Sequence, residues 1–291
     1  MEIDSQKLRE ILPKRLRKIC RIGICNPKYL EKEKPVYCPI PEEYGGARWS
    51  AKPSDVLSAV ETVIVLIHFT PVAADYAVEN IILSFARGLW KTLGIKTHVL
   101  DIAGNPDKGN IIGREDSFLK YSLYDARKKM ILLKSLAYYS GLGQYGNNSL
   151  IINKDFGSDL KIQALFTQDK LKYDKPILPK QYPNCKNCNI CMTSYPAKII
   201  DDYKVSTKHD SCRHIIKGKD IIIGRIPKKY CLHKNALNSG MIACRACQSF
   251  CPVNQKHYIK NSLILVRRQK TGVGPKTIII REYYGKGHFY H

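Results

Sequence analysis

No apolar run in this sequence reaches the roughly 18 residues a membrane-crossing helix needs, so no spanning helix is expected. Acidic residues are scarce: 25 Asp and Glu stand against 48 Lys and Arg, a formal charge of +23. That excess favours anionic partners, nucleic acid above all, through counterion release and steering. A proteome biased toward Lys, Ile and Asn gives the same basic surface without any such partner. The opening residues Met1 to Ser5 lack the basic flank and apolar stretch of a signal peptide, and a cytoplasmic location is expected. The hydrophobic share, 44%, excludes wholesale disorder, and apart from two cysteine motifs there is no internal repeat.

What the chain has in quantity is cysteine. Eleven in a chain without a leader point to metal or redox chemistry rather than to disulfides. Cys20, Cys25 and Cys38 stand near the N-terminus, where small buried thiols are the expected role. The other eight fall between positions 185 and 251.

Residues 1–50 mix helix-like and loop-like character. The stretch from Val60 to His68 is β-branched and nearly all apolar, the signature of a central strand covered on both faces. Asp75 to Leu93 reads as a helix, with Ala77, Ile81, Phe85 and Leu89 at every fourth position and Gly94 as its stop. Ile95 to Ile102 reads as a second strand, and this strand–helix–strand order predicts an α/β layer domain. A second helical pattern runs over 116–140 and ends at Ser140-Gly141-Leu142-Gly143. Strands are expected at Ser149 to Asn153 and Leu160 to Phe166. Pro176, Pro179 and Pro183 then mark a linker. The expected domains are 1–173 as the α/β layer, 174–258 as a cysteine-rich module and 259–291 as a basic aromatic tail. From Lys256 to His291 the chain holds eight Lys/Arg and one acid, Glu282. A basic strand and helix packed on the cysteine-rich module is the plainer reading of that tail.

The first motif is Cys185-x2-Cys188-x2-Cys191-x3-Tyr195-Pro196, and the second is Cys244-x2-Cys247-x3-Cys251-Pro252. A two-cluster ferredoxin carries four cysteines per motif, the fourth serving the other cluster. Crossed ligation gives a first cluster the full set Cys185, Cys188, Cys191 and Cys251. The second keeps Cys244 and Cys247 but meets Tyr195 and Met241 where its other ligands belong. Cys212 and Cys231 are the candidates to complete it, so it is irregular. Tyr195 as a direct ligand and a three-iron cluster are the alternatives. Zinc also takes Cys-x2-Cys pairs, but three cysteines in this spacing followed by proline fit a zinc ribbon poorly.

The segment Ala137 to Ser158, followed by strand, proline linker and ferredoxin motif, resembles the epoxyqueuosine reductase family and its reductive dehalogenase relatives. The matching positions are Gly141, Leu142, Gly143, Gly146, Asn148, Leu150, Asn153, Gly157 and Ser158. The resemblance implies a corrinoid-binding α/β layer domain followed by a two-cluster ferredoxin-like module. Its cofactors would be two [4Fe–4S] clusters, the second irregular, and cobalamin. Gly141, Gly143, Tyr145, Gly146 and Asn148 would then line the cobalamin, since a flat macrocycle needs close backbone approach. Cys212, before Arg213, looks like the position from which the reductases draw a cluster ligand between the two motifs. The family carries cysteine at the place of Tyr195 and lysine at that of Asn147. Its acidic proton donor lies in an Asp-Ser/Thr-Ala-Pro segment, against which this chain sets Leu123-Tyr124-Asp125-Ala126-Arg127. Asp125 is the catalytic candidate for the proton that a two-electron reduction demands, and a surface carboxylate on a helix is its plainer role.

Two functions from different classes are consistent with these features. One is an oxidoreductase passing electrons through the clusters to a corrinoid, its specific form reducing epoxyqueuosine in a tRNA anticodon loop. There the basic charge meets phosphate and the aromatic tail meets bases. A ferredoxin or flavodoxin would be its electron donor. The other is an electron-transfer protein serving a partner corrinoid protein, with no substrate of its own. A cluster-bearing RNA-binding protein without catalysis is a third.

Overall fold

The computed structural model describes residues 2–33, 37–38, 48–69, 79–99, 119–121, 129–148, 150–193 and 251–254. Its centre is a five-stranded sheet in the order Cys20–Cys25, Thr62–Phe69, Leu160–Thr167, Thr97–Val99, Leu119–Tyr121. The first three junctions are antiparallel and the last is parallel. All eight residues of Thr62–Phe69 are buried, as a strand covered on both faces requires. Its side chains alternate between two cores. Val63, Val65, Ile67 and Phe69 face one, and Ile64 and Leu66 face the other.

The second of these cores is roofed by two helices. Ser5–Ile11 is capped by Asp4, whose carboxylate accepts the Lys7 N–H at 2.9 Å, and contributes Leu8, with Leu12 just beyond its end. Glu79–Leu93 contributes Ile82, Phe85, Ala86 and Leu89, a helical i, i+3, i+4, i+7 stripe. Phe85 and Leu89 of the expected stripe stand as read, Ile82 takes the core place expected of Ile81, which only packs against this core, and Ala77 lies outside the described residues. Gly94 ends the helix at φ +71°, its N–H donating to Trp90 O at 2.9 Å, so the C′ glycine stands as read from the sequence.

The first core holds the helix Leu133–Tyr139, whose Leu136, Ala137, Tyr138 and Tyr139 are buried against Val65, Ala164 and Phe166. Here the expectation from sequence needs correction. Of the helical pattern over 116–140, the described residues form the strands Leu119–Tyr121 and Lys129–Ile131 and the helix Leu133–Tyr139, while 116–118 and 122–128 lie outside them. Lys129–Ile131 pairs in parallel with Trp49–Ala51, far away in sequence, and Leu119–Tyr121 extends the main sheet. Pairing of this kind overrides local helical preference. The strand Cys20–Cys25, which lies in the region of mixed character, is a full member of the sheet. Among the described residues, no helix is long and apolar enough to cross a membrane.

Candidate functional site

From the end of Leu133–Tyr139 the chain enters the glycine segment. Gly141 takes φ +69°, and a Cβ there would lie 2.6 Å from Lys175 O. Residues 144–145 and 151–152 form a small hairpin, Gln144 opposite Ile152 and Tyr145 opposite Ile151, closed by the Gly146 N–H donating to Leu150 O at 2.8 Å. Gly143 and Gly146 sit directly on this hairpin. A Cβ on Gly143 would meet Ile151 Cγ2 at 2.6 Å and Ile152 O at 2.7 Å, and one on Gly146 would meet Ile152 Cδ1 at 2.7 Å. Backbone packing thus demands glycine at 141 and 143, whereas Gly146 faces movable side-chain atoms. Asn153 braces the turn, its Nδ2 donating to Leu142 O at 2.6 Å, while its N–H and Gly157 O join at 2.8 Å. Tyr145 is fully buried and Asn148 nearly so.

The hairpin edge then guides the proline linker into the first cysteine motif. The Tyr145 N–H donates to Lys180 O and the Tyr182 N–H to Tyr145 O, both at 2.8 Å. Tyr182 is succeeded by the short 3-10 turn Pro183–Cys185, then by the helical turn Ile190–Thr193, which carries Cys191. Asn147 spans the two segments. Its amide nitrogen donates to Cys185 O at 2.7 Å and to Cys188 O at 2.8 Å, and its carbonyl accepts from Gln181 Nε2 at 2.7 Å.

Cys251 arrives from a distant part of the chain and is held by Asn254, three residues beyond it. Asn254 is wholly buried: its Oδ1 accepts the Ser158 N–H at 2.7 Å and its Nδ2 donates to Ser158 Oγ at 3.0 Å. Ser158 closes the glycine segment, so the same stretch of chain positions both cysteine-bearing pieces.

The four expected ligands of the first cluster lie within electrostatic reach of one another. Cys185, Cys191 and Cys251 are buried and Cys188 is partly exposed. Burial pushes the Cys185 thiol up, and Cys251 and Cys188 push it further, while the Asn147 N–H acts against them. Cys191 is pushed up to about 12 by burial, then by Cys185, Cys251 and Cys188. Cys251 is raised by burial and by Cys188, with the Val253 and Asn254 N–H groups opposing. Among the described residues, no three His, Cys, Asp or Glu side chains stand close enough to hold a single metal ion. Cys20 and Cys25 are buried thiols of the main sheet, Cys20 pushed up to about 12 by burial, in keeping with an inert role.

Beside the hairpin lies a buried polar group that sequence reasoning missed. The Lys180 ammonium sits 4.7 Å from the Tyr145 ring centre and 5.0 Å from that of Tyr138. Its Nζ has no hydrogen-bond partner among the described residues. Burial drives its pKa down to about 8, with Glu33 opposing. Tyr139 donates to Glu33 at 2.8 Å and stacks on Tyr29 at 4.7 Å. Burial raises the Glu33 carboxyl, and the Tyr139 hydrogen bond and Lys180 oppose it. A lysine in a proline-rich linker carries no sequence signal of burial, and the tyrosines read only as helix and loop residues. Asp125, Cys212, Cys231, Cys244 and Cys247 lie outside the described residues, as do Tyr124, Tyr195, Met241 and the tail from 259 to 291.

No protein-family model matches the chain. The epoxyqueuosine reductase of Prochlorococcus marinus is 29% identical over 125 residues, which make up 43% of this chain and 37% of that protein. Its counterpart from Yersinia pestis is 32% identical over 126 residues, 43% of this chain and 28% of the relative. The matched region therefore spans about a third of the length of these curated relatives. A solved structure of epoxyqueuosine reductase from Streptococcus thermophilus superposes with a TM-score of 0.51 at 15% identity, over 96% of this chain and 74% of that one.

The chain is a relative of the epoxyqueuosine reductases. It shares a mixed α/β fold with the Streptococcus protein. A second such structure, a reductase with a tRNA-Tyr stem loop carrying epoxyqueuosine, superposes with a TM-score of 0.50 at 13% identity, over 86% of this chain and 64% of that one. The relationship places the chain beside oxidoreductases.

Proposed function

We propose that this protein is an iron–sulfur oxidoreductase that passes electrons through thiolate-held clusters to a corrinoid, and that epoxyqueuosine in tRNA is its substrate. One observation carries the reading most directly: Cys251 is brought to Cys185, Cys188 and Cys191 from some sixty residues away, against the glycine hairpin.

The donor set fits an iron–sulfur cluster. Burial and the neighbouring cysteines disfavour the thiolate form at Cys185, Cys191 and Cys251, and coordination to iron reverses that preference. A single zinc ion would need its thiolates about 2.3 Å from one centre, whereas a cubane carries them on separate corners of a wider frame. Backbone N–H groups from Asn147, Val253 and Asn254 point at the thiols of Cys185 and Cys251, the kind of contact that tunes cluster potential. In this proposal Cys244 and Cys247, with Cys212 and Cys231, hold the irregular second cluster, and Asp125 supplies the proton.

A corrinoid, when bound, would supply the reducing centre. The positions expected to line it are occupied internally: Gly143 and Gly146 back onto the hairpin, and Tyr145 and Asn148 are buried. Their work there is to fix the hairpin and the linker behind it. The family relationship and the tRNA stem loop bound to a relative support the corrinoid and the substrate.

Anaerobic purification tests the reading. We expect about four irons per chain for one [4Fe–4S] cluster and about eight for two, and a base-off corrinoid spectrum on adding cobalamin. Restoration of queuosine in a reductase-deficient cell is expected. An iron-free chain refutes the cluster assignment. A chain that keeps iron but takes up no corrinoid and restores no queuosine would leave the electron-transfer function in its place.

A further inference from the structure

Asn147, in the glycine hairpin, reaches both the linker and the first cysteine motif. Three of its polar groups are committed. The backbone N–H points at the Cys185 thiol. The side-chain amide nitrogen is shared between Cys185 O at 2.7 Å and Cys188 O at 2.8 Å. The side-chain carbonyl is held by Gln181 Nε2 at 2.7 Å, which fixes the orientation of the amide. Gln181 lies opposite Tyr145 in a bridge of parallel sense, so the clamp is anchored in the hairpin and not on a free loop.

We propose that Asn147 is a positioning residue that sets both the retention and the reduction potential of the first cluster; this rests on the iron–sulfur reading above. The bidentate amide ties together the two carbonyls of the Cys185-x2-Cys188 turn and so fixes the spacing of the first two thiolates. It also presents two N–H dipoles, positive end forward, to carbonyl oxygens beside the cluster. A reduced cluster carries one more negative charge than an oxidised one, so donors at this place favour the reduced form. The reductase family carries lysine here, a cation that can donate to the same carbonyls but has no acceptor for Gln181. Asparagine trades the charge for a fixed geometry.

The variants Asn147→Ala, Asn147→Asp and Asn147→Lys separate this role from mere support of the fold. All three keep the backbone N–H. Alanine removes the clamp. Aspartate keeps the acceptor for Gln181 but sets a negative charge against the two carbonyls. Lysine restores donors and adds a positive charge. In an anaerobic redox titration followed by electron paramagnetic resonance, only the step that Cys251→Ala abolishes is scored. The expected order of potentials is Asn147→Lys highest, then wild type, Asn147→Ala and Asn147→Asp. Iron loss to a chelator should run about tenfold faster in Asn147→Ala than in wild type, as for other outer-shell partners of metal ligands. Loss of thermal stability with no ordered change in potential among iron-bearing variants would overturn the proposal, because a structural brace does not sort by charge. A wild-type chain without iron overturns the cluster reading itself, and an iron-bearing wild type whose variants match it overturns only the role of Asn147.

Discussion

The sharpest test of the hairpin packing is a graded set of glycine-to-alanine changes, in which backbone strain and steric contact are separated. Gly94 has φ +71° but nothing within 4 Å of an added methyl, so Gly94→Ala meets only left-handed strain. That strain costs about 1–2 kcal/mol, offset by about 0.4–1 kcal/mol from the stiffer unfolded chain. Gly143 has no positive φ, but its methyl would lie 2.7 Å from Ile152 O and 2.6 Å from Ile151 Cγ2. A backbone oxygen in a paired hairpin cannot rotate away, so the upper part of the overpacking range, about 3 kcal/mol, applies. Gly141 combines φ +69° with Lys175 O at 2.6 Å, and its substitution should be the most damaging, at about 4 kcal/mol. In a domain of this size each kcal/mol moves Tm by about 2–4 °C, so thermal unfolding should give shifts of about 2 °C for Gly94→Ala and about 10 °C for Gly143→Ala. Gly141→Ala should shift it further. A Gly143→Ala protein as stable as Gly94→Ala would refute the reasoning, since it would mean that the space beside Gly143 is open. That outcome would return the glycine to the role of making room for a ligand.

Two further outcomes are expected. Asn254→Ala strips the Ser158 N–H of its side-chain acceptor in a buried site, a loss of about 1–3 kcal/mol in urea denaturation; because Asn254 also tethers Cys251, iron should be lost faster than from wild type. Lys180 has a folded pKa of about 8 against 10.5 for the free side chain, so between those values the unfolded chain holds a proton that the folded one has released. Stability then rises with pH through that window, by up to about 1.4 kcal/mol per pH unit. Buried thiols such as Cys20, whose pKa is raised, act in the opposite sense above about pH 9. The measurement is therefore the difference between wild type and Lys180→Met, which should move in favour of wild type between about pH 8 and pH 10; a flat difference refutes the burial of an unpaired ammonium.

Much of the main sheet was legible because burial writes itself into composition. Thr62–Phe69 is covered on both faces and consequently lost the polar alternation that marks a half-exposed strand. Leu160–Thr167 and the Gly94 stop were readable for similarly local reasons. Cys20–Cys25 was not, because Gly23 and Arg21 dilute its strand signal. Yet Gly23 is required: a Cβ there would collide with Ser140 O. The helical pattern over 116–140 misled because its outcome depends on pairing with Trp49–Ala51 and Thr97–Val99, contacts that no local window contains.

The candidate site divides along the same line. Cysteine spacing is a local signal, and it grouped Cys185, Cys188 and Cys191; Cys251 was joined to them only through the crossed ligation expected of a two-cluster ferredoxin. The reason for the glycines was a different matter, since a motif shows that a side chain is excluded but not what excludes it. In the fold the excluding atoms are those of Ile151, Ile152 and Lys175, so the segment works as a structural joint between the α/β layer and the first cysteine motif. Asn147 and the buried Lys180 of the linker lie side by side at this joint. Both residues act where hairpin and linker run together, so a change in one is felt through Tyr145 and Gln181 by the other. Substitutions at Lys180 should accordingly alter the environment of Cys185 without touching a ligand.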